Sequence, residues 1–238
     1  MKLDILAIGV HPDDVELGCA GTILKHIALG KKVGILDLTK GELGSRGSGD
    51  LRLQEAKDSA KILGISVRDN LCFADGFFKN EEAHQLEIIK ILRQYQPNII
   101  LANAYRDRHP DHGRAAKLVS EACYYSGLLK IETELNSEIQ KEWRPKAIYH
   151  YIQDRFLNPD FVIDISEYLE LKMEAILAFK SQFYNSNSNE VETPISSENF
   201  MDFVKARMTN FGRDIGVDYA EGFTVQRPIG VEDITTLI

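Results

Sequence analysis

Two tetrapeptides in this 238-residue chain hold three of its six histidines: His11-Pro12-Asp13-Asp14 and His109-Pro110-Asp111-His112. Imidazole nitrogen and carboxylate oxygen are ligands that zinc accepts, and a hydrolytic zinc takes three protein ligands and leaves a fourth position for water. Two histidines and one aspartate would make such a set, and the other Asp and His residues at the same corners would supply a base and an acid. Asp and Pro also favour turns, so each tetrapeptide alone reads equally well as a strand-end turn. Two of them at matched places argue for chemistry.

Those places are set by the elements around them. Leu3 to Val10 is a short apolar run, followed by a helical pattern over Val15 to Leu29 that Gly30 stops. Lys32 to Leu38 reads as a second strand, residues 40–50 as a Gly- and Ser-rich loop, and the next stretch as a helix ending at Gly64. A strand over 69–73, a helix over 82–95 and a strand from Asn98 to Ala102 follow. Strands alternating with helices predict parallel pairing, hence an α/β fold: a Rossmann-like three-layer sandwich with a mainly parallel sheet. Both tetrapeptides then lie beyond the C-terminal ends of strands, where open α/β sheets bind ligands.

The chain reads as a single domain over 1–238, less regular from about residue 140. There, 146–152 and 160–164 look like strands, and Ser166 is the expected cap of a helix through Phe179. The stretch 184–194 reads as a polar connection in preference to a lid. Ser196 or Ser197 is expected to cap a last helix with Phe200, Phe203, Val204 and Phe211 on one face. Of the remaining histidines, His150 between two tyrosines reads as a satisfied core residue.

Composition narrows the function. Apolar residues are 44% and charged residues 27%, and the net charge is −8. An acidic surface repels phosphate backbones, which argues against nucleic acid as a partner. No apolar run reaches the roughly 18 residues of a membrane span. The N-terminus enters a strand pattern directly, without the apolar stretch of a signal peptide. Cys19, Cys72 and Cys123 form no C-x-x-C pair and read as buried free thiols, which together with the N-terminus places the protein in a reducing cytoplasm.

At this point the sequence resembles the LmbE-like or PIG-L deacetylases. The resemblance rests on His11-Pro12-Asp13-Asp14 with Val15-Glu16-Leu17-Gly18, and on His109-Pro110-Asp111-His112. It also rests on the loop 39–49 with Arg52 and Glu55-Ala56, and on Tyr219-Ala220-Glu221-Gly222-Phe223. Within the family the stretch Gly41 to Gly47 looks closest to the deacetylases of bacillithiol biosynthesis, which act on N-acetylglucosaminyl malate. The resemblance implies one zinc per chain, with His11, Asp14 and His112 as ligands. It makes Asp13 the general base and His109, charged and held by Asp111, the group that stabilises the oxyanion. It makes Arg52 a substrate-binding residue, and it implies a homo-oligomer, a trimer or hexamer. Asp111 also reads as the N-cap of the helix that follows it.

A malate conjugate carries two carboxylates, and arginine suits a carboxylate because its planar fork donates two parallel hydrogen bonds. Arg46 and Arg108 therefore join Arg52 as candidate substrate contacts. Pairing with Glu42, Asp50 or Asp107 on a solvated surface is the alternative for all three. Other readings of the chain stay open: a deacetylase of another N-acetylglucosamine conjugate or a chitooligosaccharide, a two-metal phosphoesterase, and a metal-stabilised binding protein. The last would need a fourth protein ligand, and Cys19 is the nearest cysteine to the first motif.

Overall fold

A computed structural model describes residues 1–186 and 188–237. The first half builds β1 (Ile5–Gly9), α1 (Asp14–Ala28), β2 (Val33–Thr39), α2 (Gly49–Leu63), β3 (Val67–Phe73), α3 (Glu82–Tyr95), β4 (Ile99–Ala102) and α4 (Pro110–Tyr125). The second half adds a small hairpin of β5 (Glu134–Leu135) and β6 (Glu138–Ile139), then β7 (Ala147–Tyr151), β8 (Phe161–Asp164), α5 (Leu169–Leu177), α6 (Phe200–Ile215) and β9 (Ala220–Val225).

Seven strands form one sheet in the order β3-β2-β1-β4-β7-β9-β8. The strands from β3 to β7 pair in parallel, and β9 runs antiparallel between β7 and β8. Alternating residues of each strand face opposite layers. Leu6 and Ile8 of β1 pack with Ile88, Ile89 and Leu92 of α3 and Leu118 and Val119 of α4. Ile5 and Ala7 pack with Val15, Ala20 and Ile23 of α1 and Leu63 of α2. The sheet is thus covered on both faces, as the alternating pattern predicts. The chain winds outward from β1 to β3, then crosses back to place β4 on the other side of β1. The crevice between the C-terminal ends of β1 and β4 is the topological switch point of the sheet.

Local signals explain most boundaries. Ser48 caps α2 by accepting a hydrogen bond from the Leu51 amide at 3.2 Å, and Gly64 ends it in the left-handed region at φ 68°. Some expected caps are replaced. The Asp164 carboxylate, not Ser166, accepts from the first amide of the turn before α5, and Asn199 precedes α6 without a side-chain cap. Phe200, Val204, Met208 and Phe211 form the buried face of α6, whereas Phe203 is exposed. Cys19 and Cys123 are buried thiols, but Cys72 is exposed on the edge strand.

β9 and the β5–β6 hairpin are absent from the sequence-based expectation. Glu221 and Gly222 interrupt the apolar pattern of β9, yet both are buried. Glu221 is there because α1 is broken at Cys19, whose φ of −151° is not helical. The Glu221 carboxylate accepts from the amides of Gly21 (2.9 Å) and Thr22 (2.7 Å), which the break leaves without helical partners. The Lys172 ammonium donates to the carbonyls of Glu16 and Leu17 on the other side of the break, both at 3.0 Å, and to Glu221 at 2.6 Å. A buried ion pair therefore substitutes for the missing backbone bonds of the helix that presents Asp13 and Asp14.

Candidate active site at the switch point

β1 and α1 deliver His11, Asp13 and Asp14, and the β4–α4 connection delivers Asp107, His109, Asp111 and His112. They meet across the switch point. The Asp14 carboxylate lies between two imidazoles, with His11 Nδ1 at 3.6 Å and His112 Nε2 at 3.2 Å. The outer nitrogen of each ring rests on a second carboxylate: His11 Nε2 on Asp75 at 3.0 Å, and His112 Nδ1 on Asp107 at 2.7 Å. A carboxylate behind a histidine fixes its ring and tautomer and raises its basicity, as in the outer shell of metal sites. Burial lowers the pKa of both rings, but the surrounding carboxylates outweigh it and raise His11 to about 9 and His112 to about 10. Burial raises the pKa of Asp14, but His112 and His11 hold it well below the usual carboxylate range.

This donor set fits a divalent cation of zinc type. Two imidazole nitrogens and one carboxylate face each other, and each ring is oriented from behind. Ring nitrogens of His11, His109 and His112 also lie within 4.8 Å of one another, as do ligand atoms of His11, Asp75 and Asp111. The His109 Nδ1 accepts from the Asp111 amide at 3.3 Å, and Asp75 and Asp111 accept from the amides of Leu43 and Gly76. Asp14 likewise accepts from the amides of Val10 and His11, so the cluster offers more than one set of three ligands. Cys19, at the break in α1, packs in the core and is not among these clustered groups.

Asp13 stands at the N-cap position of α1 but makes no capping bond. Its φ of 124° lies in the region that non-glycine residues avoid, at a cost of order 1–3 kcal/mol. The strain turns its carboxylate into the pocket, where Arg52 Nη2 donates to it at 3.0 Å. Burial raises the Asp13 pKa, Arg52 opposes, and Asp14 adds to the rise, leaving it at about 7. A carboxylate near neutrality can accept a proton and return it.

His109 is half-buried and caps α4 itself, with Pro110 in the first turn, so the cap is His109 and not Asp111. The Asp111 carboxylate instead accepts from the Gly76 amide and from Arg114 Nη1. Asp111 holds His109 through its backbone N–H, not its carboxylate. Burial lowers the His109 pKa, and His11 and His112 lower it further. Asp111 and Asp14 oppose that shift, and because Nδ1 accepts from the Asp111 amide, Nε2 is the nitrogen left to carry a proton.

Of the three candidate arginines, Arg52 and Arg108 line the pocket and Arg46 does not. Arg46 is buried. It donates to the carbonyls of Ser181 (2.9 Å) and Phe183 (3.4 Å) and to Ser188 Oγ (3.2 Å), so it anchors the segment that follows α5. Arg52 reaches the pocket wall with its guanidinium on Asp13, the Pro12 carbonyl (2.7 Å) and the Gly41 carbonyl (3.3 Å). Arg108 sits at the rim, partly exposed, and pairs with Asp154 at 2.7 Å.

The pocket holds about 260 Å³, and Leu17, Leu43, Ile195 and Phe200 make its apolar wall. Thr193 and Pro194 also line it, so the end of the polar stretch 184–194 is part of the site; residue 187 of that stretch lies outside the described residues. His150 is a satisfied core residue, with Nδ1 on the Asn103 carbonyl at 2.7 Å. Asp75, Asp107, Asn103 and Gln153 were not singled out from sequence. All four lie within a few residues of the C-terminal end of a parallel strand, β3, β4 or β7, and that placement was the available signal.

A doubly wound sheet with such a cluster at its switch point defines the class: a hydrolase whose chemistry is organised around a metal. Residues 6–123 match the family model described as PIG-L, GlcNAc-PI de-N-acetylase. The chain is 31% identical over 194 residues to the diacetylchitobiose deacetylase of Thermococcus kodakarensis, covering 75% of this chain and 70% of the relative. It belongs to the PIG-L family of metal-dependent carbohydrate N-deacetylases. The crystal structure of a conserved Thermus thermophilus protein, TT1542, superposes with a TM-score of 0.85 at 34% identity, covering 96% of this chain and 97% of that one. A Bacillus subtilis protein named "Probable N-acetyl-alpha-D-glucosaminyl L-malate deacetylase 2" is 28% identical over 200 residues, covering 76% of this chain and 84% of the relative. Similarity is thus no higher to a malate-conjugate enzyme than to a chitobiose enzyme. Among the described residues, no helix is long and apolar enough to cross a membrane.

Proposed function

We propose that the protein hydrolyses the acetamide of an uncharged N-acetylglucosaminide of chitooligosaccharide type, using one zinc per chain held by His11, Asp14 and His112. The observation that carries the substrate reading is the state of the three arginines. Arg46 lies outside the pocket, Arg52 is bonded to Asp13 and two carbonyls, and Arg108 is paired with Asp154. The two that line the pocket, Arg52 and Arg108, each already carry a carboxylate partner, whereas a pocket with an apolar wall and a few polar groups suits a sugar ring.

A metal held there lowers the pKa of water to roughly 7 and polarises the amide carbonyl. The Asp13 carboxylate takes a proton from the attacking water. The His109 Nε2–H donates to the oxygen that gains charge as the carbonyl carbon becomes tetrahedral. As the C–N bond breaks, Asp13 passes the proton to the departing nitrogen, giving a free amine and acetate. Arg52 orients Asp13 throughout. Asp111 keeps His109 in the tautomer that donates from Nε2, because its amide occupies Nδ1.

One observation favours a second reading, N-acetylglucosaminyl malate. Arg108 is at the rim and 44% exposed, so it could exchange Asp154 for a substrate carboxylate. Amine release from N,N'-diacetylchitobiose, N-acetylglucosamine and N-acetylglucosaminyl malate separates the readings. The neutral sugars should show the higher kcat/KM; a preference for the malate conjugate would reverse the assignment, and activity on none of them would refute both.

A further inference from the structure

The two oxygens of Asp14 are not equivalent. Oδ2 accepts three hydrogen bonds, from the amides of Val10 and His11 at 3.0 Å each and from Asn103 Nδ2 at 3.1 Å. Oδ1 accepts one, from Gln153 Nε2 at 2.7 Å, and faces His112 Nε2 at 3.2 Å. A carboxylate oxygen presents about two lone-pair directions. Oδ2 is therefore closed, and Oδ1 keeps one direction open toward His112 and the pocket.

From this asymmetry we infer that Asp14 serves as a one-oxygen ligand through Oδ1, and that Gln153 and Asn103 are the positioning residues that make it so. The inference rests on the proposal that Asp14 is a ligand. The two amides are themselves fixed. Asn103 Oδ1 accepts from the Val10 amide at 3.1 Å, its Nδ2 also approaches Gln153 Oε1 at 3.4 Å, and its carbonyl takes His150 Nδ1. All three side chains, Asp14, Asn103 and Gln153, are buried. The carboxylate is thus clamped from both ends, by β1 and β4 on Oδ2 and by the residue just beyond β7 on Oδ1. Gln153 also lines the pocket, so it joins the ligand to the wall that faces substrate.

Without the Gln153 donor, Oδ2 keeps its three hydrogen bonds and its place 3.6 Å from His11 Nδ1, while Oδ1 faces only His112 Nε2 and loses the bond that fixes its direction. Loss of a group that orients a metal ligand typically lowers affinity about 10- to 100-fold. Gln153→Met keeps the length of the side chain and removes the donor, and Gln153→Leu is a smaller second variant. The test measures Zn2+ affinity by chelator competition, and the visible absorption of the Co2+-substituted protein, for both variants, wild type and Asp14→Ala. Thermal unfolding of each metal-free protein checks folding.

Both Gln153 variants should fold, bind Zn2+ about 10- to 100-fold more weakly than wild type, and show changed Co2+ band positions or intensities, because the coordination of Asp14 changes. Unchanged affinity and unchanged Co2+ spectra in a folded Gln153 variant would overturn the inference. Tighter binding would also overturn it, since Gln153 would then be competing for Oδ1. If Asp14→Ala binds Zn2+ as tightly as wild type, it is the ligand assignment that fails.

Discussion

Arg52 Nη2 donates to Asp13 Oδ2 at 3.0 Å, with both side chains about 95% buried. The same guanidinium holds the carbonyls of Pro12 and Gly41, so it ties the base to the first motif and to the loop after β2. On the proposed mechanism Arg52 acts through Asp13 and not on substrate carboxylates. Arg52→Lys should lower kcat roughly 10- to 100-fold, the scale of losing charge-assisted hydrogen bonds. The loss should be equal on N,N'-diacetylchitobiose and N-acetylglucosaminyl malate. A loss confined to the malate conjugate would return Arg52 to the role of substrate ligand.

Gly41 should be intolerant for the same reason. Its φ is +67°, and an added Cβ would collide with the guanidinium of Arg52. Gly41→Ala should reproduce the kinetic defect of Arg52→Lys and also lower stability by about 1–3 kcal/mol through backbone strain. Steady-state kinetics and urea unfolding on the one variant measure both.

Asp13→Asn should fold and hold its metal yet lose about 10²- to 10⁴-fold in kcat, the usual range for a general base. Metal analysis alongside kinetics is required, since Asn at this position would also lose its ion pair with Arg52. A metal-replete variant with normal turnover would exclude Asp13 as the base.

Metal uptake should release protons. In the metal-free protein the carboxylates beside His11 and His112 raise their pKa values to about 9 and about 10. Both rings are therefore protonated at pH 7 and must lose a proton to become ligands. Calorimetry of Zn2+ binding in buffers of different ionisation enthalpy should show this release, and apparent affinity should fall as pH is lowered. The sign for the metal-free fold is opposite. A raised folded-state pKa contributes stability that is complete below the unfolded value, about 6.5, and is lost as pH rises through about 9 and about 10. Metal-free protein should accordingly be less stable at about pH 10 than at about pH 6.5, and bound zinc should reduce that difference.

Lys172 is fully buried and its ammonium is matched by Glu221 and two carbonyls at the break in α1. Lys172→Met leaves the Glu221 charge without its counter-ion and should cost about 3–5 kcal/mol in urea unfolding. Adding Glu221→Gln to Lys172→Met should recover part of that loss, because no uncompensated charge remains. A double variant less stable than the single would show that Glu221 matters through its bonds to Gly21 and Thr22 more than through charge.

The sequence by itself determined the α/β fold and the two strand-end motifs, because those are written in local periodicity and in residue type. Val33–Thr39 and Ile99–Ala102 are short apolar runs bounded by turn residues, and Gly30 and Gly64 mark helix ends within a residue or two. Residue type marked the His and Asp residues of the two motifs as candidate ligands, and the choice of His11, Asp14 and His112 among them came from the family resemblance. Periodicity does not carry the partners that arrive from far along the chain. Asp75 reaches His11 across 64 positions, Gln153 reaches Asp14 across 139, and Ser181 receives Arg46 across 135. The roles of the arginines followed from such contacts: a guanidinium looks the same in sequence whether it faces a ligand, a carboxylate or a backbone carbonyl. β9 was hidden because Glu221 and Gly222 weaken a strand pattern, and only the broken helix α1 lying over the strand explains a buried glutamate there. What tertiary structure decided was which donors each polar group meets, since a buried polar group has to find its partner wherever the packed chain puts one.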